Sequence, residues 1–550
     1  MRQKILQIHP LDNAIVALDD LAAGETVRLD GHSWTLGTAI PAKHKFAAVH
    51  LNAGDEVRMY GVLVGKAQEP VPAGGLLTTV NLKHATHGFG VGGENRTLWD
   101  APDVSAWRMR EFLGYHRPDG SVGTANYWLV IPLVFCENRN VDVLREALVY
   151  DLGYDKKRNY RAQTRQLIHL YTSGKDVSEI LEAELLTHAD SKAQRLFPNI
   201  DGVKFLTHEG GCGGTRQDAQ ALCGLLAGYI THPNVAGATV LSLGCQHAQA
   251  AMLIEEIEKR DHDFQKPLIV LEQQKIGLES DLIAAALKQT FAGLVEANRL
   301  ERRPAPLSKL CIGLECGGSD GFSGISANPA LGHLSDLVVA LGGSVILSEF
   351  PELCGVEQEL CDRCTDRETA ARFSSLMTIY NRRAQAAGSG FDMNPSPGNI
   401  RDGLITDAIK SAGAAKKGGT SPVTAVLDYP EKVSRPGLNL LCTPGNDVES
   451  TTAEVAAGAT VVLFTTGLGT PTGNPIAPVI KVSTNTALAQ RMPDIIDFDA
   501  GGIIRGEMTI EQTAGQLLDY VIRVASGQEE VAAVRLGQDD FIPWKRGVSL

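Results

Sequence analysis

The distribution of apolar residues divides the chain into a segment of short, separated strands and a longer part in which strands and helices alternate. In the first segment the apolar stretches are short and are separated by turn clusters such as Ala22-Ala23-Gly24. These stretches are Ala14–Leu18, Phe46–Val49 and Val57–Val64. Short apolar runs bounded by turn-forming residues indicate β-strands. We therefore predict a small β domain over residues 1–95, followed by a polar linker over residues 96–113.

From residue 114 onwards, buried strands alternate with stretches of helical periodicity. The candidate strands are Tyr127–Val134, Val203–Thr207, Thr239–Leu243, Leu268–Leu271, Leu310–Leu314, Ser344–Ser348, Val423–Leu427, Leu438–Leu441, Thr460–Thr465 and Val479–Val482. Helices predicted between them include Gln217–Ile230, Ala248–Lys259 and Leu278–Ala297. This alternation is typical of mostly parallel sheets with helices on their faces. We predict two α/β units, over residues 114–386 and 387–550, the first with a polar helical excursion around Asp151–Lys192.

The predicted fold class is thus α/β multidomain, with a small N-terminal β domain and two α/β units with mostly parallel sheets. The length of 550 residues supports this division, because one hydrophobic core rarely serves so long a chain. The net charge of −13 argues against a nucleic-acid partner, since phosphate binding needs a concentrated positive surface. No apolar run approaches the roughly 20 residues that span a bilayer. The first twenty residues carry acidic side chains where a signal peptide is apolar. We expect a cytoplasmic protein with a small-molecule substrate and no membrane partner, and we allow for a homo-oligomer.

Three cysteines follow predicted strands, at the position where open α/β sheets bind ligands. They are Cys212, Cys245 and Cys316, and each has glycine neighbours that would let the backbone approach an ion or a cluster closely. We predict that these three thiols converge on one shared metal site, and Cys136 is a fourth candidate for it. The alternative is that each cysteine is a small buried residue beside a tight turn.

The residue types at these strand ends leave the metal open. Three thiolates suit a soft site, which means zinc, iron or an iron–sulfur cluster with one open position. His208 and Glu349 also follow predicted strands. Such harder ligands would shift the choice towards ferrous iron or manganese.

Two loops near the end of the chain are rich in hydroxyl and amide side chains. Thr465–Asn474 and Ser483–Thr486 each follow a predicted strand. Neutral donors and acceptors at this density suit a polyhydroxylated ligand, so we predict substrate contacts from Thr466, Asn474 and Asn485. We expect these loops to face the cysteines across a cleft between the two α/β units. Turn chemistry alone is the alternative.

The N-terminal domain contributes His44-Lys45 immediately before an apolar strand. A histidine and a lysine side by side could bring a base and a cation to a carboxylate substrate. The alternative is that both side chains are solvated at a strand edge.

Longer blocks of the sequence resemble the altronate/galactarate dehydratase family, which also includes sulfolactate sulfo-lyases. The blocks are His9–Asn13, Lys43–Ala47, Gly114–Asn126, His208–Cys212, Leu243–Cys245, Cys316–Gly324, Asn394–Asn399, Lys417–Thr420 and Thr443–Gly445. The resemblance runs nearly end to end, and it implies a SAF-type N-terminal domain and an iron-dependent enzyme. Two departures stand out. Ala125 occupies a position where arginine is more common, and Leu76–His84 lacks the family's His-x-His-x-His-Asn stretch.

The resemblance implies a hydro-lyase that removes the α proton of a sugar acid, expels the neighbouring hydroxyl and leaves a 2-keto-3-deoxy acid. His44 or His208 would take the proton, and Arg117 or Lys45 would bind the carboxylate. A metal would act as Lewis acid. Asn126, which ends one of the blocks, is a further candidate substrate contact.

D-altronate is the substrate we expect, and its product would be 2-keto-3-deoxy-D-gluconate. Galactarate or another aldonate or aldarate is the alternative substrate. The same blocks leave two further interpretations, namely a sulfo-lyase and a non-catalytic sugar-acid sensor.

Overall fold

A computed structural model describes residues 3–91, 99–156, 158–185 and 195–550. Its N-terminal part contains only β-strands, which pair antiparallel in three small sheets. The strands are β1 (Ile5–Leu6), β2 (Ala14–Ala17), β3 (Thr26–Leu29), β4 (His32–Thr35), β5 (Lys45–Ala47), β6 (Glu56–Met59), β7 (Val62–Ala67), β8 (Leu76–Leu77) and β9 (Leu82–Lys83). The predicted small N-terminal β domain is confirmed. Its predicted end at residue 95 and the first residues of the predicted linker lie outside the described residues.

The next part of the chain contains a four-stranded parallel sheet in the order β13-β12-β14-β15 and a three-stranded antiparallel sheet in the order β11-β10-β16. The strands are β10 (Glu111–His116), β11 (Val122–Gly123), β12 (Tyr127–Pro132), β13 (Gly202–Phe205), β14 (Val235–Ser242), β15 (Leu268–Glu272) and β16 (Arg303–Pro306). The helices are α1 (Asn138–Val149), α2 (Arg158–Thr172), α3 (Val177–Glu182), α4 (Arg216–Thr231), α5 (Ala250–Arg260), α6 (Gln273–Ile276) and α7 (Glu279–Ala297). Every residue of β12 and β14 is buried, as expected for central parallel strands covered on both faces.

The last part of the chain forms a seven-stranded parallel sheet in the order β19-β20-β18-β17-β21-β22-β23. The strands are β17 (Cys311–Cys316), β18 (Ser344–Leu347), β19 (Val423–Leu427), β20 (Gly437–Leu441), β21 (Val461–Thr466), β22 (Val479–Ser483) and β23 (Phe498–Asp499). The helices are α8 (Ala327–Ala340), α9 (Glu357–Asp362), α10 (Arg367–Ala386), α11 (Pro397–Arg401), α12 (Asp407–Ala415), α13 (Asp447–Ala457), α14 (Thr486–Arg491), α15 (Ile510–Ala525) and α16 (Ala532–Leu536). The predicted α/β class with parallel sheets is confirmed.

The boundary that we placed near residue 386 needs correction. β17 and β18 precede that residue, yet Leu314 of β17 pairs with Leu463 of β21 and Ile346 of β18 pairs with Asn439 of β20. One sheet therefore takes strands from both sides of residue 386. The long helical stretch between β18 and β19 resembles an inter-domain segment in sequence, but it packs as an insertion within this unit.

The N-terminal domain lies against the seven-stranded unit. The Thr406 side chain donates a 3.0 Å hydrogen bond to the Val64 carbonyl, and a Cβ atom on Gly324 would lie 2.3 Å from the Tyr60 hydroxyl. The contact is therefore too close for any residue but glycine at position 324. Within the described part of the chain, no helix combines the length and apolar character that a membrane crossing requires.

Candidate active site

The seven-stranded sheet has a topological switch point between β17 and β21. The chain leaves β17 for β18 on one side and later returns to β21 on the other side. Open α/β sheets bind ligands in the crevice that such a reversal leaves at the carboxyl ends of the strands. Here those ends carry Cys316–Asp320 after β17 and Thr466–Gly469 after β21.

Asp320 is the charged centre of this crevice, and its side chain is fully buried. Lys43 Nζ of the N-terminal domain lies 3.0 Å from Asp320 Oδ2. The Thr484 hydroxyl donates to Oδ1 at 3.0 Å, and Asn485 Nδ2 donates to Oδ2 at 3.3 Å. Asn485 is itself oriented as the N-cap of α14, where its Oδ1 accepts from the Leu488 amide. Two distant segments of the chain thus hold one carboxylate.

The loop that carries Lys43 can reach Asp320 because two glycines leave room for it. Lys43 has a left-handed backbone, with φ of 75°. A Cβ atom on Gly321 or on Gly403 would lie 2.4 Å from the Lys43 carbonyl oxygen. Lys43 Nζ also donates to Asp402 Oδ1 at 2.9 Å. The N-terminal domain is therefore fixed onto the switch point by a charged side chain and by close backbone packing.

The next two residues of this loop have the properties of acid–base groups. His44 is half-buried, its Nδ1 lies 3.3 Å from the Ala42 carbonyl, and burial lowers its pKa. A neutral imidazole that donates from Nδ1 leaves Nε2 as an acceptor. Lys45 is fully buried, its Nζ donates to the Lys43 and Gly403 carbonyls at 2.9 and 2.6 Å, and burial lowers its pKa to about 7. Lys45 can therefore exchange a proton near neutral pH, and the lowered pKa of His44 favours the neutral imidazole that accepts a proton.

Beside the switch point lies a buried group of charged side chains around Cys316. The ligand atoms of Cys316, Glu349 and Glu352 lie within 4.8 Å of one another, and all three residues are buried. Lys417 pairs with Glu349 at 2.5 Å, and Lys410 pairs with Glu352 at 2.5 Å. Burial and the neighbouring Glu352 raise the pKa of Glu349. The two ammonium groups balance the two carboxylates inside the protein.

A second group with metal-binding chemistry joins the N-terminal domain to α12. The ligand atoms of His84, Cys354 and Asp407 lie within 4.8 Å of one another. Within the described residues, neither carboxylate oxygen of Asp407 has a hydrogen-bond partner. Imidazole, thiolate and carboxylate together suit a borderline ion such as ferrous iron or zinc. The uncompensated Asp407 carboxylate makes this group a better cation site than the one around Cys316.

Three profiles of known protein families match successive parts of the chain. The Altronate/galactarate dehydratase SAF domain matches residues 3–85, the second domain of D-galactarate dehydratase/Altronate hydrolase matches residues 114–298, and the C-terminal D-galactarate/Altronate dehydratase profile matches residues 307–549. Altronate dehydratase of Escherichia coli (strain K12) is 34% identical over 525 residues, which cover 95% of each chain. The chain belongs to the altronate/galactarate dehydratase family. This assignment makes it a hydro-lyase.

Two further members of the family are similar over almost their whole length. Altronate dehydratase of Bacillus subtilis (strain 168) is 32% identical over 526 residues, covering 96% of each chain. Galactarate dehydratase (L-threo-forming) of Escherichia coli (strain K12) is 30% identical over 538 residues, covering 97% of this chain and 94% of that enzyme. The sequence identities to the altronate dehydratases and to the galactarate dehydratase are similar. They therefore do not show which of the two sugar acids this chain dehydrates.

The structure brings some of the predicted site residues of this family member to the switch point. Thr466 and Asn485 lie there with His44 and Lys45, and the Thr466 hydroxyl accepts from the Gly469 amide at 2.9 Å. The loop after β22 thus faces Asp320 and the N-terminal domain. Six residues of these candidate sites were not selected from the sequence. They are Lys43, Asp320, Glu352, Cys354, Asp407 and Lys410. Lys43 and Asp320 stand inside the quoted family blocks, which is the signal that could have found them.

The polar atoms of the other predicted site residues form hydrogen bonds within the protein itself. Arg117 donates to the Pro233 carbonyl at 2.7 Å and to Asn126 Oδ1 at 2.9 Å, and Asn126 Nδ2 donates to the Asn199 carbonyl. Asn474 Nδ2 donates to the Tyr229 hydroxyl, and its Oδ1 accepts from two backbone amides. His208 Nε2 lies 2.7 Å from the Pro132 carbonyl, and its Nδ1 accepts from the Gly210 amide. All of these side chains are buried.

The three predicted metal cysteines lie at the carboxyl edges of two different sheets. Cys212 and Cys245 are exposed at the edge of the four-stranded sheet, whereas Cys316 is buried at the end of β17. The three do not together form one of the groups of described residues whose ligand atoms all lie within 4.8 Å of one another; Cys316 belongs to such a group with Glu349 and Glu352 instead. A shared site for these three cysteines stays a prediction.

Proposed function

We propose that the chain dehydrates a sugar acid at the switch point of the seven-stranded sheet, and that its substrate is D-altronate. The observation that carries this proposal is the docking of the Lys43–Lys45 loop onto Asp320. This docking supports roles for His44 as a base and for Lys43 and Lys45 as cations near the two loops that carry Thr466 and Asn485. The two altronate dehydratases among the relatives support the choice of substrate. Galactarate is the second candidate, because a galactarate dehydratase is similar over nearly the same length.

The acid–base chemistry follows from the protonation states and hydrogen bonds of His44 and Lys45. His44 Nε2 takes the α proton of the substrate, and the electron pair that is released moves onto the carboxylate. Lys45 has used two of its three N–H groups on backbone carbonyls, so one remains for a carboxylate oxygen. A bound carboxylate would favour the charged form of Lys45 and raise its pKa from about 7.

The reaction then completes without any further reactant. The β-hydroxyl leaves with the proton held by His44, so one molecule of water is formed. The resulting enol tautomerises to the 2-keto-3-deoxy acid. Asp320 keeps Lys43 charged and in place, and therefore acts as a positioning residue. Thr466 and Asn485 are assigned to the substrate hydroxyls.

The metal requirement is part of this proposal. Iron, or manganese in its place, would supply Lewis-acid stabilisation of the departing hydroxyl and of the charged carboxylate. His84, Cys354 and Asp407 would hold it, because their donors suit such an ion and Asp407 lacks another partner within the described residues. These residues also lie near the region where family members carry the His-x-His-x-His-Asn stretch that Leu76–His84 lacks.

An anaerobic assay with added iron tests both the substrate and the base. We expect 2-keto acid formation from D-altronate, with slower turnover of galactarate and of a shorter 2,3-dihydroxy acid. His44→Ala should lower kcat by about 10²–10⁴-fold, the usual contribution of a general base. His32→Ala, at an exposed position on β4, is the matched control and should retain full activity.

The same assay separates the alternatives. Binding of D-altronate without turnover of any sugar acid would indicate a sensor and would refute the proposal. Turnover that survives in His44→Ala would exclude His44 as the base. Since burial lowers the pKa of His44, the acid side of the kcat/KM profile should fall below its ordinary value of 6.5, where the imidazole becomes protonated. The alkaline side should fall as free Lys45 loses its charge, around its pKa of about 7.

A further inference from the structure

The exposed cysteines of this protein are not scattered over its surface. Cysteine is one of the residue types most often buried, and seven of the ten cysteines here are buried or partly buried. The exposed ones are Cys136, Cys212 and Cys245. They follow β12, β13 and β14, which are adjacent strands of the four-stranded sheet in the order β13-β12-β14. All three thiols therefore lie at one carboxyl edge.

Backbone hydrogen bonds hold the three loops against one another. The Phe135 amide, next to Cys136, donates to the Gly210 carbonyl at 3.1 Å. The Ala248 amide, in the loop after Cys245, donates to the Gly211 carbonyl at 3.0 Å. Gly211 has a φ of 98°, and a Cβ atom there would lie 2.1 Å from the Leu133 carbonyl oxygen. The segment that carries Cys212 is thus packed between the other two, as a shared site requires.

We propose that Cys136, Cys212 and Cys245 bind an iron–sulfur cluster in which one iron has no protein thiolate. Three cysteines from three loops are a soft ligand set of the kind such clusters use. A single tetrahedral ion with bonds of about 2.3 Å would hold its sulfurs about 3.8 Å apart. The three sulfurs here are not among the groups of described ligand atoms within 4.8 Å of one another. A cluster tolerates a wider spacing, because each cysteine binds a different iron.

The surroundings of the three thiols fit a cluster with an open iron. Gln274 Nε2 donates to Cys245 Sγ at 3.2 Å, and hydrogen bonds of this kind stabilise cluster sulfurs. Cys212 lines a cavity of about 700 Å³ together with His247, Glu449 and Lys545. A small oxygen-bearing ligand in this cavity could reach the iron that lacks a thiolate. The cluster does not depend on the acid–base site that we propose at the other sheet.

Reconstitution of the full-length chain tests the cluster without any activity measurement. The chain is purified without oxygen, loaded with ferrous iron and sulfide, and desalted. We expect about four sulfide per chain and about four iron beyond any bound by His84, Cys354 and Asp407, together with visible absorption that dithionite bleaches. Cys136→Ala, Cys212→Ala and Cys245→Ala should each lower both contents several-fold. Cys311→Ala, at the amino end of β17 and partly exposed, is the control and should keep them.

Two results would overturn the proposal. One is an unaltered chain that, after loading, retains no sulfide and shows no visible cluster absorption, whatever its iron content. The other is loss of the cluster in Cys316→Ala with retention in Cys136→Ala, which would favour the site shared by Cys212, Cys245 and Cys316. Circular dichroism of the unloaded variants checks their folding, since replacing exposed thiols should leave the fold intact. An unaltered chain that holds the cluster but dehydrates no sugar acid would count against the proposed function and not against the cluster.

Discussion

The carboxyl edges of the two parallel sheets occupy equivalent places in their units, yet their chemistry differs. At the four-stranded sheet, Cys212 and Cys245 are exposed, and Cys212 lines a cavity. At the seven-stranded sheet, Cys316 is buried beside the ion pairs Lys417–Glu349 and Lys410–Glu352. The two edges differ in exposure because the N-terminal domain and α12 cover the edge of the seven-stranded sheet.

Burial decides what a given side chain can do at a strand end. In the closed edge, charges attract one another strongly because water does not screen them, so acids and bases can be held with shifted pKa values. In the open edge, thiols keep their access to metal and solvent. The same position in a fold can therefore carry proton transfer in one unit and soft-metal binding in the other.

The largest expected effect comes from breaking a buried pair in the closed edge. Lys417→Met leaves Glu349 buried without its counter-charge, which should lower the free energy of unfolding by about 3–5 kcal/mol. Lys275→Met is the matched control, because Lys275 forms an exposed pair with Glu272 and should cost at most about 1 kcal/mol. Urea denaturation measures both. Equal losses in the two variants would contradict the role of burial drawn from this comparison.

A smaller effect should come from His208 in the open edge. Burial lowers the pKa of His208 from 6.5 to about 4 in the folded chain. Between these two values the unfolded chain binds the proton more readily, so stability is full above 6.5 and falls as the pH falls. The loss should approach about 3 kcal/mol near pH 4. Urea denaturation from pH 7 to pH 4 measures it, and an unchanged slope in His208→Gln would show that another group causes the loss.

The smallest perturbation is alkylation of the native chain in the absence of metal. Iodoacetamide should modify Cys136, Cys212 and Cys245 within minutes, and Cys316 only after unfolding, because reaction requires an accessible thiolate. Burial raises the pKa of Cys316 and slows it further. Mass spectrometry of peptides gives the extent at each site. Rapid modification of Cys316 would show that the closed edge opens in solution.

The course of the strands could be read from the sequence, but their partners could not. Tyr127–Val134 and Leu268–Leu271 were predicted within a few residues of β12 and β15, because apolar runs between turn residues are local features. The place of β17 and β18 in the second sheet depends on pairing with strands 149 and 93 residues further along the chain. Local patterns carry no record of such pairing, and so the boundary near residue 386 was misplaced.

The sequence showed which residue types are able to bind a substrate or transfer a proton. It did not show which of them keep their polar atoms free to do so. His44, Lys45, Thr466 and Asn485 were selected from the sequence and lie at the switch point. Arg117, Asn126 and Asn474 looked equally suited to a substrate, but backbone and neighbouring side chains take up their hydrogen-bonding atoms. Whether a polar atom is free depends on contacts that only the folded chain creates.

By itself the sequence determined the strand and helix segments, the family and the small set of residues able to do acid–base or metal chemistry. These properties depend on local periodicity and on residue type. Only the tertiary structure decided that Lys43 of the first domain meets Asp320 of the last, and that Cys316 is buried whereas Cys212 and Cys245 are exposed. Such facts arise from the packing of distant segments, where burial sets the charge state of a carboxylate and the reactivity of a thiol.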